Sequence, residues 1–531
     1  MKFPLCSTFV FPFAILLISF SWATTAQSHE KFLQCLSLHS NYSSSISKVI
    51  YSRNNNSYSS ILESSIQNLR FSTIATPKPL VIVTPLHASH IQATIYCSKR
   101  HGLQIRTRSG GHDFEGLSYA SEVPFVLIDL VNLRSIDVDV ENRIAWVQAG
   151  ATIGELYYRI AEKSGTLAFT AGTCHTVGVG GQFSGGGYST LSRKYGIAAD
   201  NIIDAHLIDA NGKVLDRKSM GEDLFWAIRG GGGGSFGIVL DWKIKLVSVP
   251  ATVTVFTVTK TLEQNATELI HRWQYVAHKL SDDLFIFVTI SRVNSSQEGK
   301  KTIQASFSAL FLGRVDKLVS LMEKGFPELG LVKQDCTEMS WIQSAAYFGQ
   351  IPIERLEVLL DRTAVSKSYF KGKSDYVQEP IPKIAIEGMW PRFYEEEGTY
   401  ASINLVPFGG KMDEISETET PFPHRAGNIF NIMYVTGEEG ELEFQKYISW
   451  MRRFYRYLGP YVSKSPRQAY VNYRDLDIGV NNKKGHTSYA QASIWGFKYF
   501  KNNFNKLVHV KTLVDPENFF KHEQSIPPLL Y

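Results

Sequence analysis

Three glycine-dense stretches in the first half of the chain constrain its fold more than any other feature. They run over residues 106–116, 171–188 and 229–237. Because glycine loses more conformational freedom on folding than other residues, three such loops need a purpose beyond turning the chain. Successive amide groups in glycine loops form concave nests that bind phosphate, and Arg106 and Arg108 can add positive charge. The loops therefore predict a long, flat, phosphate-bearing cofactor that lies against exposed backbone.

The third stretch contains a misleading motif. Gly232, Gly234 and Gly237 satisfy the pattern G-x-G-x-x-G. In a dinucleotide-binding Rossmann fold that pattern follows a strand and opens a helix. Here the glycines follow a predicted helix at about residues 223–229 and precede a predicted strand that begins at Ile238, so the order is reversed. No lysine follows for a nucleotide P-loop, and both of these folds are excluded.

The first two stretches, with residues 220–229 and the tail 515–528, resemble the plant berberine bridge enzyme-like family. This family is also called reticuline oxidase-like and belongs to the vanillyl-alcohol-oxidase type of FAD proteins. The resemblance runs from about Cys35 to the C-terminus. It implies an α+β fold, in which a two-lobed FAD-binding domain of the PCMH type joins an α+β substrate domain with an antiparallel sheet.

A chain of 531 residues exceeds the usual size of one hydrophobic core, so at least two lobes are expected. We predict a signal peptide at 1–26, an FAD-binding domain at 27–250 with its core at about 76–250, and a substrate-binding domain at 251–471. Residues 472–531 resemble the family's C-terminal return to the FAD domain. Within the first domain, residues 30–76 are predicted to be helical, and residues 125–130 and 144–149 to be strands of one sheet. Alternating residues predict antiparallel strands after residue 251.

The N-terminus is typical of a secretory signal. Lys2 gives a positive start, residues 9–20 are apolar, and Ala26 ends a small-residue cleavage site. The alternative is a membrane anchor, but the apolar run is short for a bilayer and no other stretch is long enough. Four glycosylation sequons fit this route: Asn41, Asn55, Asn265 and Asn294. We expect an apoplastic, vacuolar or ER-derived vesicular protein and a monomer.

The net charge of +5 is small for this length, and the basic residues are scattered along the chain. No nucleic-acid partner is therefore expected.

Four cysteines remain after the signal, namely Cys35, Cys97, Cys174 and Cys336. No CxxC or cysteine–histidine spacing of a metal site occurs, so no metal is predicted. An oxidising compartment favours one disulfide, and the resemblance implies Cys35 with Cys97. Cys174 is then free for other chemistry, and Cys336 is expected to be a buried thiol.

The resemblance implies that FAD is tethered twice, by His112 to the 8α-methyl group and by Cys174 to C6. It places the following residues around the cofactor: Arg106, Arg108, Ser109, Gly110, Gly111, Val177, Gly178, Gly181 and Gly187. Val177 resembles the position that gates oxygen, and valine there goes with oxidases. Two departures are His175, where proline is usual, and Gln182, where histidine is usual. An alternative, Cys174 as a nucleophile with His175 as its base, fails because adjacent loop residues seldom face each other.

The substrate side departs most from the family. Met433 stands where many members carry a glutamate or glutamine base, and Asn431 replaces a lysine of monolignol-oxidising members. Phe114 and Phe408 replace tyrosines, whereas Tyr473 and Tyr188 remain. Abstracting a proton from a hydroxyl group needs a placed base, and Tyr473 would have to serve alone.

A tertiary amine needs no such base, because its lone pair drives hydride departure from the adjacent carbon, and aromatic walls favour the developing cation. We therefore predict an FAD oxidase of an alkaloid amine, protoberberine-like or related, that produces hydrogen peroxide from O2. The alternatives are a carbohydrate or monolignol and aromatic-alcohol oxidase, for which Tyr473 would be the base, and a non-catalytic extracellular flavoprotein.

Overall fold

The structure is a computed structural model, and it describes residues 29–39, 46–363, 367–438, 440 and 444–529. The predicted signal peptide and the sequon at Asn41 lie outside these residues. The three other sequon asparagines, Asn55, Asn265 and Asn294, are exposed. Among the described helices, none is long and apolar enough to cross a membrane.

The first lobe is a four-stranded sheet in the order β1-β2-β4-β3. Its strands are β1 (Ile50–Ser52), β2 (Val81–Val83), β3 (Gln104–Arg108) and β4 (Phe125–Asp129), and β4 pairs in parallel with β2 and β3. Helix α1 (29–39) precedes the sheet, α2 (Tyr58–Ser64) follows β1, and α3 (Ala88–Arg100) connects β2 to β3. A disulfide joins Cys35 of α1 to Cys97 of α3, which confirms the expected pair.

The second lobe is a five-stranded antiparallel sheet in the order β5-β6-β10-β8-β9. Its strands are β5 (Ile136–Asp139), β6 (Ile144–Gln148), β8 (Ile202–Ile208), β9 (Val214–Leu215) and β10 (Ile238–Lys245). A separate two-stranded sheet is formed by β7 (Leu167–Ala168) and β11 (Val247–Ser248). Its helices are α4 (Ile153–Lys163), α5 (Val179–Ser184), α6 (Ser192–Tyr195) and α7 (Arg217–Ile228). A capping box between Thr152 and Glu155 begins α4.

Two local predictions in this domain are wrong. Strands β4 and β6 belong to different sheets: β4 is buried along its whole length between parallel neighbours, whereas β6 alternates in burial and forms an antiparallel pair with β5. Residues 30–76 are not continuously helical, because β1 pairs with β2 across Ile50 and Val83. A long-range strand pairing overrides the local helical pattern there.

The substrate domain contains a seven-stranded antiparallel sheet in the order β15-β12-β14-β13-β17-β18-β16. The strands are β12 (Val253–Thr261), β13 (Leu284–Asn294), β14 (Lys301–Phe311), β15 (Cys336–Met339), β16 (Tyr369–Val377), β17 (Ala401–Pro407) and β18 (Phe430–Glu438). Cys336, expected to be buried, is half-buried on edge strand β15, and its burial raises the pKa of the thiol to about 11.

One face of this sheet forms the core of the substrate domain, with residues such as Val288, Leu405 and Ile432 buried. The domain's helices are α8 (Ala266–Val276), α9 (Val315–Gly325), α10 (Trp341–Phe348), α11 (Lys383–Glu387), α12 (Trp390–Tyr394), α13 (Lys411–Glu414) and α14 (Phe444–Leu458). The last two helices of the chain, α15 (Tyr489–Phe500) and α16 (Asn503–Val514), share a core with the second lobe.

Candidate cofactor and substrate site

The first two glycine loops meet backbone to backbone. A Cβ atom built on Gly110 would lie 2.2 Å from the amide nitrogen of Gly178, and one built on Gly178 would lie 2.0 Å from Oγ of Ser109. That Ser109 hydroxyl donates to the carbonyl of Ala149 at 2.6 Å. Gly111 has φ +72° and its Cβ would overlap the carbonyl of Ser65. Only glycine fits these contacts, so this part of each loop is explained by close packing.

The contact between the loops brings both predicted tether residues to one hydroxyl group. His112 Nε2 lies 2.9 Å from Oγ1 of Thr176, and Cys174 Sγ lies 3.7 Å from the same oxygen. Thr176 is buried, His112 is partly buried and Cys174 is exposed. Burial, together with the nearby charge of His175, lowers the pKa of His112 to about 4, so the imidazole is neutral at physiological pH.

Beside these groups the backbone lies open. Gly181, in α5, is exposed, and a Cβ built there would meet no atom within 4 Å. Gln182 has a buried side-chain oxygen that no described group satisfies. An open glycine face, an exposed thiol and a neutral imidazole on one surface fit a large flat ring system with two covalent attachment points. The residues present therefore fit FAD. Gly187 is different, because its built Cβ would lie 2.4 Å from Oε1 of Gln182, so it allows close packing within the protein.

Arg106 and Arg108 do not offer their charge to a phosphate group. Both side chains are buried, and Arg106 pairs with Glu523 at 2.9 Å. Arg108 pairs with Asp129 at 2.6 Å and donates to the carbonyls of Leu62 and Ile61. Both residues lie on β3, an edge strand of the first sheet, and their side chains pack into the protein, where these partners hold them. The expectation that they contribute charge to the phosphate nest is therefore wrong.

The third glycine loop supports α5 from behind. The amide groups of Gly230 and Gly232 both donate to the carbonyl of Ser184, at 3.0 and 2.8 Å. The loop lies between α7 and β10, as the sequence predicted.

Four aromatic residues form a wall from the first loop to the C-terminal segment. Phe114 stacks on Tyr473 with ring centroids 5.4 Å apart, and Tyr473 meets the edge of Tyr470 at 5.0 Å. The hydroxyl groups of Tyr188 and Tyr473 hydrogen-bond to each other. Burial raises the pKa of Tyr473 above its ordinary value, and no described basic group opposes this. The Tyr473 phenol is therefore held protonated.

The other side of the site is the open face of the seven-stranded sheet. Met433 on β18 faces outward and is partly exposed, opposite Asn404 of β17 and Ser374 of β16. Asn431, two residues earlier on the same face, is buried, and its Nδ2 donates to the carbonyl of Asp375 at 2.9 Å. The Oδ1 atom of Asn431 has no partner among the described residues. Phe408 is buried against Tyr376, with ring centroids 5.5 Å apart.

A row of polar side chains crosses this face, and sequence analysis missed it. Strand pairing places Thr259, Ser306, Thr289 and Asn404 side by side, ending at Met433. Thr289 donates to Oδ1 of Asn404 at 2.7 Å. At about 4.8 Å per strand, the row extends roughly 19 Å from Met433 to the far strand. The sequence does carry a sign of this row. In β12, β13 and β14, apolar residues alternate with hydroxyl-bearing residues, and the hydroxyl-bearing positions of the row face away from the core.

The comparisons with known proteins agree with this architecture. Residues 79–217 match the FAD binding domain family, and residues 469–527 match the berberine and berberine-like family. Tetrahydroberberine oxidase of Berberis wilsoniae is 55% identical over 515 residues, covering 96% of each chain. The structure of berberine bridge enzyme-like 28 from Arabidopsis thaliana has a TM-score of 0.89 and 53% identity, covering 94% of this chain and all of that one.

A grass pollen allergen with glucose dehydrogenase activity, Phl p 4, also superposes, with a TM-score of 0.88 and 46% identity over 94% of this chain and all of that one. The α+β fold, the loop-lined site and these relatives together define a flavoprotein, an FAD-dependent oxidase. Within that class, the chain belongs to the berberine bridge enzyme-like family.

Proposed function

We propose that this chain oxidises a tertiary amine of an alkaloid, protoberberine-like or related, and passes the electrons to O2 to give hydrogen peroxide. One observation carries the proposal: the outward position of β18 that would hold a base is Met433, and the nearby Tyr473 phenol is held protonated by burial. When bound, FAD supplies the two-electron acceptor. The chain's own residues supply the aromatic wall on one side and, on the other, the open face of the seven-stranded sheet, where Met433 stands in place of a carboxylate.

The chemistry of an amine suits such a site. An alcohol or sugar hydroxyl must lose its proton as the C–H bond breaks, and a placed base contributes about 100-fold or more to such a step. A tertiary amine has no proton to lose, and its lone pair supports the cation that develops on the adjacent carbon. The faces of Phe114 and Tyr473 favour that positive charge. An apolar, aromatic pocket therefore favours oxidation of a tertiary amine over oxidation of an alcohol or a sugar.

For the cofactor, we propose attachment at both His112 and Cys174. The neutral imidazole, the free thiol and their common contact with Thr176 support this. The two bonds would hold the cofactor in an open site. Val177 lies partly buried in the second glycine loop, three residues after Cys174, and by likeness to the family is proposed to admit O2.

For location, we propose passage through the secretory pathway as a glycosylated monomer. The Cys35–Cys97 disulfide and the exposure of Asn55, Asn265 and Asn294 support this route.

A second candidate function is carbohydrate or aromatic-alcohol oxidation. The polar row from Thr259 to Asn404 favours it, because hydroxyl and amide side chains bind sugar hydroxyls. The likeness to Phl p 4 also supports it. This candidate requires Tyr473 to act as a base.

The test replaces Met433 with glutamate and, as a matched control, with glutamine. Both side chains are similar in size, and only glutamate can accept a proton. We expect Met433→Glu and Met433→Gln to oxidise a tertiary amine at rates within about threefold of each other, because no hydroxyl proton has to be removed. The initial rate of peroxide formation measures this. A gain of about 100-fold for glutamate over glutamine would show that a base limits the reaction and would contradict the proposal.

A further inference from the structure

We propose that Thr176 is the positioning residue that prepares His112 and Cys174 for covalent attachment of FAD. This inference rests on the double attachment proposed above. Its basis is the single hydroxyl group that lies 2.9 Å from His112 Nε2 and 3.7 Å from Cys174 Sγ. Thr176 is 3% exposed, so its own side chain is shielded from water.

The hydroxyl group carries one proton and therefore links the states of its two neighbours. When Oγ1 accepts from Nε2–H of His112, its own proton points to the sulfur of Cys174. The other imidazole nitrogen, Nδ1, then holds a lone pair, and the sulfur receives a hydrogen bond that stabilises the thiolate. In the opposite arrangement, the Cys174 thiol donates to Oγ1 and Oγ1 donates to Nε2 of His112. The ring proton of His112 is then on Nδ1, which has no free lone pair, and the cysteine keeps its proton. Both nucleophiles are therefore ready in the same arrangement and blocked in the other.

The overall chemistry of each attachment balances with dioxygen as the oxidant. The nucleophile gives up its N–H or S–H proton, and the cofactor gives up one C–H hydrogen, from the 8α-methyl group or from C6. A C–N or C–S bond replaces them. The two electrons and two protons released reduce one O2 to one hydrogen peroxide. Thr176 contributes by holding the reactive lone pairs, because it is the thiolate and the unprotonated nitrogen that attack.

The environment of Thr176 explains why sequence alone does not reveal this role. Thr176 lies in the second loop, next to Val177, and its backbone carbonyl would be 2.7 Å from a Cβ atom at Gly110. The glycine contact between the two loops is thus what brings His112 of one loop to the hydroxyl of the other. A larger residue at Gly110 or Gly178 would separate them.

The experiment measures how much FAD stays attached after the full-length protein is denatured. Variants Thr176→Val and Thr176→Ser are produced with the wild type, and peptide mass spectrometry reports attachment at His112 and Cys174 separately. Thr173→Val is the matched control, because Thr173 is an exposed threonine of the same loop. Binding of FAD by the native variants is measured by absorbance, so that loss of attachment is distinguished from loss of binding.

We expect Thr176→Val to bind FAD in the native state but to attach it roughly tenfold less, because a hydrogen bond to a charged group is lost. Thr176→Ser and Thr173→Val should attach it like the wild type. If the valine variant does not fold, Thr176→Ala removes the same hydroxyl with less change in shape and carries the test. Full double attachment without the hydroxyl, or an equal loss in Thr173→Val, would overturn the role of Thr176. A wild type without attached FAD would overturn the double attachment itself and with it this role.

Discussion

At the scale of single residues, the site is defined by what two positions lack. Met433 brings no ionisable group to the open face of β18, and the Tyr473 phenol has no described charge partner that would ionise it. Both positions could be found from the sequence by likeness to the family. Their meaning depends on burial, which the sequence does not give. The same holds for Arg106 and Arg108, whose charges suggest phosphate binding in the sequence but pair with Glu523 and Asp129 in the structure.

Replacing Tyr473 with phenylalanine tests its chemical role. Because burial raises the pKa of the phenol, we expect the variant to oxidise an amine within about threefold of the wild-type rate, far less than the 100-fold loss typical of a missing base. The pH profile of the wild-type rate should also show no limb that reports ionisation of Tyr473. Tyr188→Phe serves as the control, because it removes the hydroxyl that Tyr473 contacts. A large loss limited to Tyr473→Phe would identify the phenol as a base.

At the scale of elements, an ionic cluster holds the aromatic wall against strand β16. Lys371 pairs with Glu115 and with Asp475 at 2.7 Å, and Lys373 pairs with Asp475 at 2.5 Å. Glu115 follows Phe114 in the first loop, and Asp475 lies two residues after Tyr473. The cluster therefore joins the first loop, the edge strand and the C-terminal segment. Charges so far apart in the chain could not be paired from the sequence.

Breaking this cluster should destabilise the protein strongly. We expect Lys371→Met to cost about 3–5 kcal/mol, because it leaves Glu115 and Asp475 buried with fewer partners. Lys383→Met, which removes an exposed lysine paired with Glu268, should leave the melting temperature unchanged. Thermal unfolding of both variants measures the difference. Equal melting temperatures would mean that the buried cluster contributes no net stability.

Strand existence was easier to predict than strand partners, for a physical reason. Alternation identifies β12, β13 and β14 because each has one core face and one open face. The assignment of β4 and β6 to one sheet failed because pairing depends on contacts far along the chain. The polar row on the open face was missed for the same reason, since strand register brings Thr289 next to Asn404.

At the scale of the whole molecule, a buried histidine predicts how stability depends on pH. His424 stacks on Tyr376 with centroids 3.8 Å apart, and its burial lowers its pKa to about 3. Between pH 6.5 and about 3, His424 binds a proton in the unfolded chain but stays neutral in the folded protein. Stability is therefore lost as pH falls through this window, by roughly 3 kcal/mol at pH 4 from this residue alone.

The variant His424→Phe keeps an aromatic ring and removes the titrating group. We expect its melting temperature to fall less between pH 7 and pH 4 than that of the wild type, even if it is lower at pH 7 because Gln468 loses its partner. His486→Phe, at an exposed position, should follow the wild type. An unchanged acid sensitivity in His424→Phe would contradict the role given to this histidine.

If a site without a placed base selects an amine, then among possible substrates only a tertiary amine should bleach the bound flavin rapidly in the absence of oxygen. Purified protein is mixed without oxygen with protoberberine and indole amines, monolignols and oligosaccharides, and flavin absorbance is followed in time. We expect rapid bleaching by a tertiary amine and none on that timescale by the alcohols or sugars. Rapid bleaching by a sugar or a monolignol, with the amines inert, would contradict it and would mean that Tyr473 serves as a base.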